Sequence, residues 1–362
     1  MTGGRPTAPI ATGRSPCVSV IIIFLNPGRY LSEAIDSVVG QTFSDWELIL
    51  VDDGSSDQST EVALRWARLR PSQIRYVDHP DHANRGMSES RNRGIREARG
   101  RYVAFLDADD VYLPQRLAAH VAVLERQPCV AMVQSDQVYW YCWRDRLGRE
   151  AMEECSRPPM FLGDAVIRPP QGLYMLFGVP DAFNAPSSLT IRRSVALDLG
   201  GFENQFRSLY EDQVFLTKVY AHRIVYALQR RLVKYRIHAG GSLVTALAES
   251  GDGQSRFFEA GRRLRDWQTQ YLAGLSSADE LVHRMLDEQR RRAHEAGRTR
   301  VHGMRMAARH AIRDLLRSFL PVGLYRRVLH RRQRWSADRS RLQYAALCSQ
   351  LSGALFARRR VE

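Results

Sequence analysis

A nearly unbroken apolar run, Val18–Phe24, passes directly into Arg29–Gly40. In that second segment Tyr30, Leu31, Ala34, Ile35, Val38 and Val39 recur at helical spacing, and Gly40 closes it. The alternation continues through strand Glu47–Val51, helix Asp57–Leu69, strand Ile74–Asp78, a helix from about Ser88 to Arg99, and strand Tyr102–Leu106. A strand without a polar face must be covered on both sides. Strand–helix–strand units with short loops do this as a parallel sheet with right-handed crossovers. Ligands of such sheets collect at the carboxyl ends of the strands, so the polar residues just after each strand are the ones to question.

The second part is less regular. From Val111 to Val244 the pattern predicts helix Pro114–Gln127, strand Val130–Tyr141, a Pro/Gly-rich loop region Arg157–Val179, helix Glu211–Ala221, and short strands Arg223–Leu228 and Leu232–His238. From about Ser255 the chain is arginine-rich and helical. A formal charge of +14 invites a nucleic-acid reading, but its distribution argues against one. Residues 1–255 hold 29 basic and 29 acidic side chains, whereas residues 256–362 hold 24 basic and 10 acidic. A basic tail on a neutral body fits an anionic surface better than a site that reads bases, so no nucleic-acid partner is expected.

Residues Met1–Pro16 are rich in Gly, Pro, Ser and Thr and read as a disordered leader. No run of eighteen apolar residues occurs, so no spanning helix is expected. The five cysteines are odd in number and form no C-x-x-C, which favours a reducing cytoplasm over a zinc site or disulfide frame.

Two acidic stations follow strands. The first is Asp52-Asp53-Gly54-Ser55-Ser56-Asp57. An N-cap and turn would explain Ser56 or Asp57 but leaves Asp52 and Asp53 without a reason. The second is Asp107-Ala108-Asp109-Asp110, three carboxylates that repel unless a cation lies among them. On an extended strand Asp107 and Asp109 would face the same way, and such hard oxygen ligands suit Mg²⁺ or Mn²⁺ bridging a diphosphate. A third acidic pair, Glu211-Asp212, opens a predicted helix, where the macrodipole alone would also favour it.

Val18-Ser19-Val20-Ile21-Ile22, Ser37–Phe43 and Glu47–Thr60 together resemble the opening of family 2 glycosyltransferases of the GT-A fold. Asn84-x-Gly86 with Ser90-Arg91-Asn92-x-Gly94-Ile95, running into Phe105–Asp110, is similar to the segment carrying that family's Asp-x-Asp motif. Gly200-Gly201-Phe202, Tyr210-Glu211-Asp212 and Tyr235-Arg236-Ile237-His238 look like its acceptor half, and the likeness covers about residues 17–245. It implies an α/β, Rossmann-like, mostly parallel central sheet flanked by helices, with an α-helical C-terminal extension. The divisions expected are a leader over 1–16, a nucleotide-sugar half over 17–110, an acceptor half over 111–245 and a basic helical region over 246–362.

The resemblance also implies roles. Asp53, with Asp52 beside it, would contact the base or ribose, with Asn26 and Arg91 also on the nucleotide side. Asp107 would reach the ribose or a Mn²⁺ or Mg²⁺ ion, Asp109 would ligate that ion, and His238 could complete its shell. Asp212, or else Glu211, would be the general base of an inverting transfer. Arg91 has two further readings, a pair with Glu89 or with Asp78. The donor implied is a nucleotide sugar, a UDP-sugar first. The acceptor implied is a glycan, a lipid-linked glycan or a secondary metabolite. A nucleotidyltransferase would carry a Gly-rich basic loop after the first strand, which Phe24–Arg29 is not, and a binding module without turnover would be expected to lose acids. The basic amphipathic stretch Arg313–Leu329 has three readings: helices packed on the core, a homo-oligomer interface, or peripheral contact with the inner face of a membrane.

Overall fold

The structure, a computed structural model, describes residues 15–144, 150–155, 163–178, 185–238, 253–275, 280, 282–288 and 291. Strands β1 (Val18–Phe24), β2 (Trp46–Asp52), β3 (Ile74–Asp78) and β4 (Tyr102–Asp107) run parallel in the order β3-β2-β1-β4. They alternate with helices α1 (Tyr30–Val39), α2 (Ser59–Leu69) and α3 (Met87–Glu97). The parity of β1 decides the layering. Val18, Val20, Ile22 and Phe24 pack with Leu31, Ala34, Ile35 and Val38 of α1 on one face. Ile21 and Ile23 pack with Ile95 of α3 on the other. Each such side chain removed from water contributes about 1.5–3 kcal/mol, which makes the sheet's two-sided cover the main source of cohesion.

The remaining strands are β5 (Val111–Tyr112), β6 (Val130–Arg144), β7 (Glu150–Cys155), β8 (Ala165–Ile167), β9 (Leu189–Arg192) and β10 (Ile224–His238). The path continues β4-β9-β6-β10-β5, with β7 beside β6 and β8 beside β10. Here β9 is antiparallel to both neighbours, while β6 and β10 are parallel to one another. The helices of this half are α4 (Arg116–Arg126), α5 (Gln171–Gly178), α6 (Arg193–Asp198) and α7 (Glu211–His222), followed by α8 (Gly253–Ala273). The sheet is thus parallel in its first half, mixed in its second and flanked by helices, as the resemblance implies.

Two expectations change. The two short strands predicted at 223–238 are one strand, whose exposed Gln229, Arg230 and Arg231 are taken up by register shifts against β6 rather than by a loop. The loop region predicted over Arg157–Val179 holds β8 and α5. Strand β9, for which the sequence pattern predicts no strand, is wedged between β4 and β6.

Helix α8 lies on α7. Leu264 packs with Phe206 and Val214, and the Gln268 Nε2 donates to Thr217 Oγ1 at 3.0 Å. Leu272, Val282 and Leu286 are buried in the core beneath the sheet, so the described part of the C-terminal region is cover for the core. Residues 1–14 of the leader and the basic stretch Arg313–Leu329 lie outside the described residues. Among the described residues no helix is long and apolar enough to cross a membrane.

Candidate active site

β4 ends at Asp107, and the chain turns at once: the Asp110 N–H donates to the Asp107 carbonyl at 3.0 Å. Asp109 therefore sits in the turn and not on a strand, and alternation does not set its direction. Asp107 and Asp109 meet different partners. Asp110 is buried and acts as the turn's anchor, accepting from Ser187 Oγ at 2.6 Å and from the Arg236 N–H at 2.9 Å. Burial, then the neighbouring carboxylates, push its pKa well up. The Ser187 hydroxyl also accepts from the Asp107 N–H at 3.0 Å.

Arg91, on α3 and 1 % exposed, links the second and third acidic stations. Its guanidinium donates to Asp107 Oδ1 at 2.8 Å and to Glu211 Oε1 at 2.7 Å, and it lies 5.3 Å above the Phe202 ring. Neither Glu89 nor Asp78 is its partner: Glu89 pairs with Arg96 and Asp78 with His82. Burial raises the Asp107 and Glu211 carboxyls, and the Arg91 charge opposes both shifts. Asp212 is half-buried at the start of α7, beside Glu211. Burial, with the Glu211 charge added, pushes its pKa up to about 7. Tyr210, just before it, has a left-handed backbone (φ 65°), which turns the chain so that both acids enter the helix together.

Asp109 meets the end of β10. The His238 Nε2 lies 3.3 Å from Asp109 Oδ2, and both side chains keep some exposure, 8 % and 26 %. The Asp109 carbonyl accepts from Arg236 Nε at 2.6 Å. Among the described residues no group of three or more His, Cys, Asp and Glu is arranged to hold a metal. Here Asp109 and His238 face one another as a pair. Two adjacent ligands about 2.1 Å from a cation lie about 3 Å apart, so the spacing of this pair is compatible with a cation that both would ligate.

At the first station the acids are turned inward. Asp52 is fully buried and accepts from the Ser55 N–H, Thr60 Oγ1 and Tyr76 OH at 2.8, 2.6 and 3.2 Å. Asp53 accepts from the N–H groups of Arg85 and Gly86 at 2.7 and 3.0 Å, with His79 at 3.6 Å. Gly86 sits at φ 89°, where a Cβ would come within 2.9 Å of the Arg207 Cβ. Asn26 accepts from the Ser56 and Asp57 N–H groups at 2.7 and 3.1 Å. These three residues tie together the loops after β1, β2 and β3 at the carboxyl ends of those strands.

Sequence reasoning missed Ser187 and Arg236 as parts of this site. Ser187 has no local signal, since its partner Asp110 is 77 residues away. The Tyr235–His238 segment could have pointed to Arg236.

Acids gathered at the strand ends of a sheet in this order are what the resemblance to GT-A glycosyltransferases implies. The family model "Glycosyl transferase family 2" matches residues 19–196, and the domain they belong to is a member of that family. An uncharacterized glycosyltransferase of Nostoc sp., alr2836, is 28 % identical over 239 residues, 66 % of this chain and 70 % of its own length. Bacillus subtilis EpsJ, also an uncharacterized glycosyltransferase, is 45 % identical over 95 residues, 26 % of each chain. Among solved structures, S. aureus TarS 1–349 in complex with UDP-GlcNAc has a similar fold, with a TM-score of 0.57 at 20 % identity. That match covers 79 % of this chain and 74 % of the TarS fragment. The same fragment in complex with UDP gives a TM-score of 0.53 at 19 % identity, covering 75 % and 70 %.

Proposed function

We propose that this glycosyltransferase moves a sugar from a nucleoside-diphosphate sugar, a UDP-sugar first, to a hydroxyl of a glycan or lipid-linked acceptor, with inversion at the anomeric carbon. The observation that carries this reading is the Arg91 bridge. It commits Glu211 to a buried ion pair and leaves Asp212, next in sequence, as the carboxylate free to take a proton. In the transfer, the acceptor oxygen bonds to the anomeric carbon as the bond from that carbon to the diphosphate oxygen breaks. The acceptor proton passes to Asp212, and the nucleoside diphosphate leaves. A pKa near 7 suits this exchange, because the base is ionised near neutrality yet still basic enough to accept the proton.

A Mn²⁺ or Mg²⁺ ion at Asp109 and His238 would neutralise charge developing on the leaving diphosphate. Asp107, held by Arg91, would then face the ribose side. Asp52, Asp53 and Asn26 would serve the nucleotide by shaping the loops it rests on. UDP and UDP-GlcNAc in the TarS complexes support the donor class. Contact of the basic C-terminal stretch with an anionic membrane, or with a second copy of the chain, belongs to the same proposal and would suit a lipid-linked acceptor.

The test is release of nucleoside diphosphate from a panel of UDP-, GDP- and dTDP-sugars with and without Mn²⁺, followed by determination of the product's anomeric configuration. A retained configuration, or no turnover of any donor, would overturn the reading.

A further inference from the structure

Tyr30 opens α1 and its ring lies between two side chains of β10. The His238 imidazole is 4.4 Å away, centroid to centroid, at 57°, and the Arg236 guanidinium carbon is 4.5 Å from the same centroid. Arg236 is buried, also covers the Trp140 ring at 4.0 Å, and pairs with Glu33, one turn along α1 from Tyr30, at 2.5 Å. Its Nε holds the Asp109 carbonyl. One face of α1 is thereby fastened both to the backbone of Asp109 and to the ring of His238, the two residues that face one another at 3.3 Å. The fastening is independent of any ligand, because Leu31, Ile35 and Val38 fix α1 against the sheet.

We propose that Tyr30 is a positioning residue for a divalent cation: its ring holds the His238 imidazole in the orientation that turns Nε2 toward Asp109. His238 lies in β10 with its side chain 8 % exposed. An imidazole turns about χ1 and χ2 unless something packs on it, and ordering it on binding would weaken the affinity. The aromatic face supplies that order beforehand. The phenol hydroxyl has no part in it, so phenylalanine should serve as well. This inference rests on the cation reading above.

The experiment titrates Mn²⁺ into the full chain, alone and with saturating UDP, and follows the electron paramagnetic resonance signal of free Mn²⁺. Groups that orient a ligating histidine change metal affinity by about 10–100-fold, and a tilted ring contact belongs at the low end. Tyr30→Leu should weaken Mn²⁺ binding about tenfold, and Tyr30→Phe should bind as wild type. In a His238→Ala background, Tyr30→Leu should cause no further loss. Thermal melts accompany each variant, and Tyr30→Met replaces Tyr30→Leu if the latter does not fold. Wild-type affinity in the leucine variant, or an undiminished tenfold loss in the His238→Ala background, overturns the positioning role while leaving the cation reading intact. Equal Mn²⁺ binding by wild type, Asp109→Ala and His238→Ala overturns the cation reading, and the positioning role falls with it.

Discussion

Arg91 and Glu211 are 120 residues apart in sequence and meet at 2.7 Å in a site where Arg91 is all but sealed from water. The same guanidinium holds Asp107 at 2.8 Å, so one cation joins the carboxyl end of β4 to the first turn of α7. Two carboxylates and one arginine leave the cluster net negative, which a developing positive charge on a transferred sugar would favour.

Removing that cation should be costly. Arg91→Met leaves Asp107 and Glu211 near each other without compensation, and breaking a buried ion pair from one side costs about 3–5 kcal/mol. Urea denaturation should show a loss of that order. A loss below about 1 kcal/mol would mean that the bridge contributes little to the fold. Arg91→Lys keeps the charge but not the two-pronged geometry, and should fall between.

The two adjacent acids should separate cleanly by kinetics. Asp212→Asn is expected to lower kcat by about 10²–10⁴-fold with donor KM nearly unchanged. Glu211→Gln should lose mainly stability and retain most of its turnover per folded molecule. The reverse pattern would make Glu211 the base.

Activity should follow the ionisation of Asp212. With its pKa near 7, the base is protonated below that value, so kcat should rise about tenfold per pH unit up to pH 7 and level off above it. Stability runs the other way. A carboxyl whose folded pKa lies above its unfolded one stabilises the fold at low pH, and this is lost as pH rises through about 7. Asp212→Asn should therefore melt above wild type at pH 8 and with it at pH 4. A flat rate profile from pH 5.5 to 8.5 would refute the assignment.

Chelation tests the cation. EDTA should abolish turnover and Mn²⁺ should restore it, while Asp109→Ala should stay inactive at any Mn²⁺ concentration with its melting temperature little changed. Undiminished turnover in EDTA would exclude a required ion.

The first four strands were readable because each is a continuous apolar run followed by its own covering helix, so the information is local. The second half was not. β9 is four residues long and earns its place by pairing with β4 and β6, elements far away in the chain. Arg91 shows the same limit: Glu89 and Asp78 are its sequence neighbours, yet it pairs with residues 16 and 120 positions away. Asp52 shows another. A carboxylate after a strand serves a ligand or a turn equally well in sequence, and only the donors around it, Thr60, Tyr76 and the Ser55 N–H, reveal the turn.

The two hydrogen bonds of Ser187, donated to the Asp110 carboxylate and accepted from the Asp107 N–H, have a practical side. Arg116 reinforces it from α4 by donating to the carbonyls of Ser187 and Leu189. Segment 185–192 and segment 107–116 are consequently one unit for anyone building chimeras. Transplanting the former from a relative, without its matching acidic turn, should misalign the Asp109–His238 end of the site. Swapped together, the two should transfer as a working cassette.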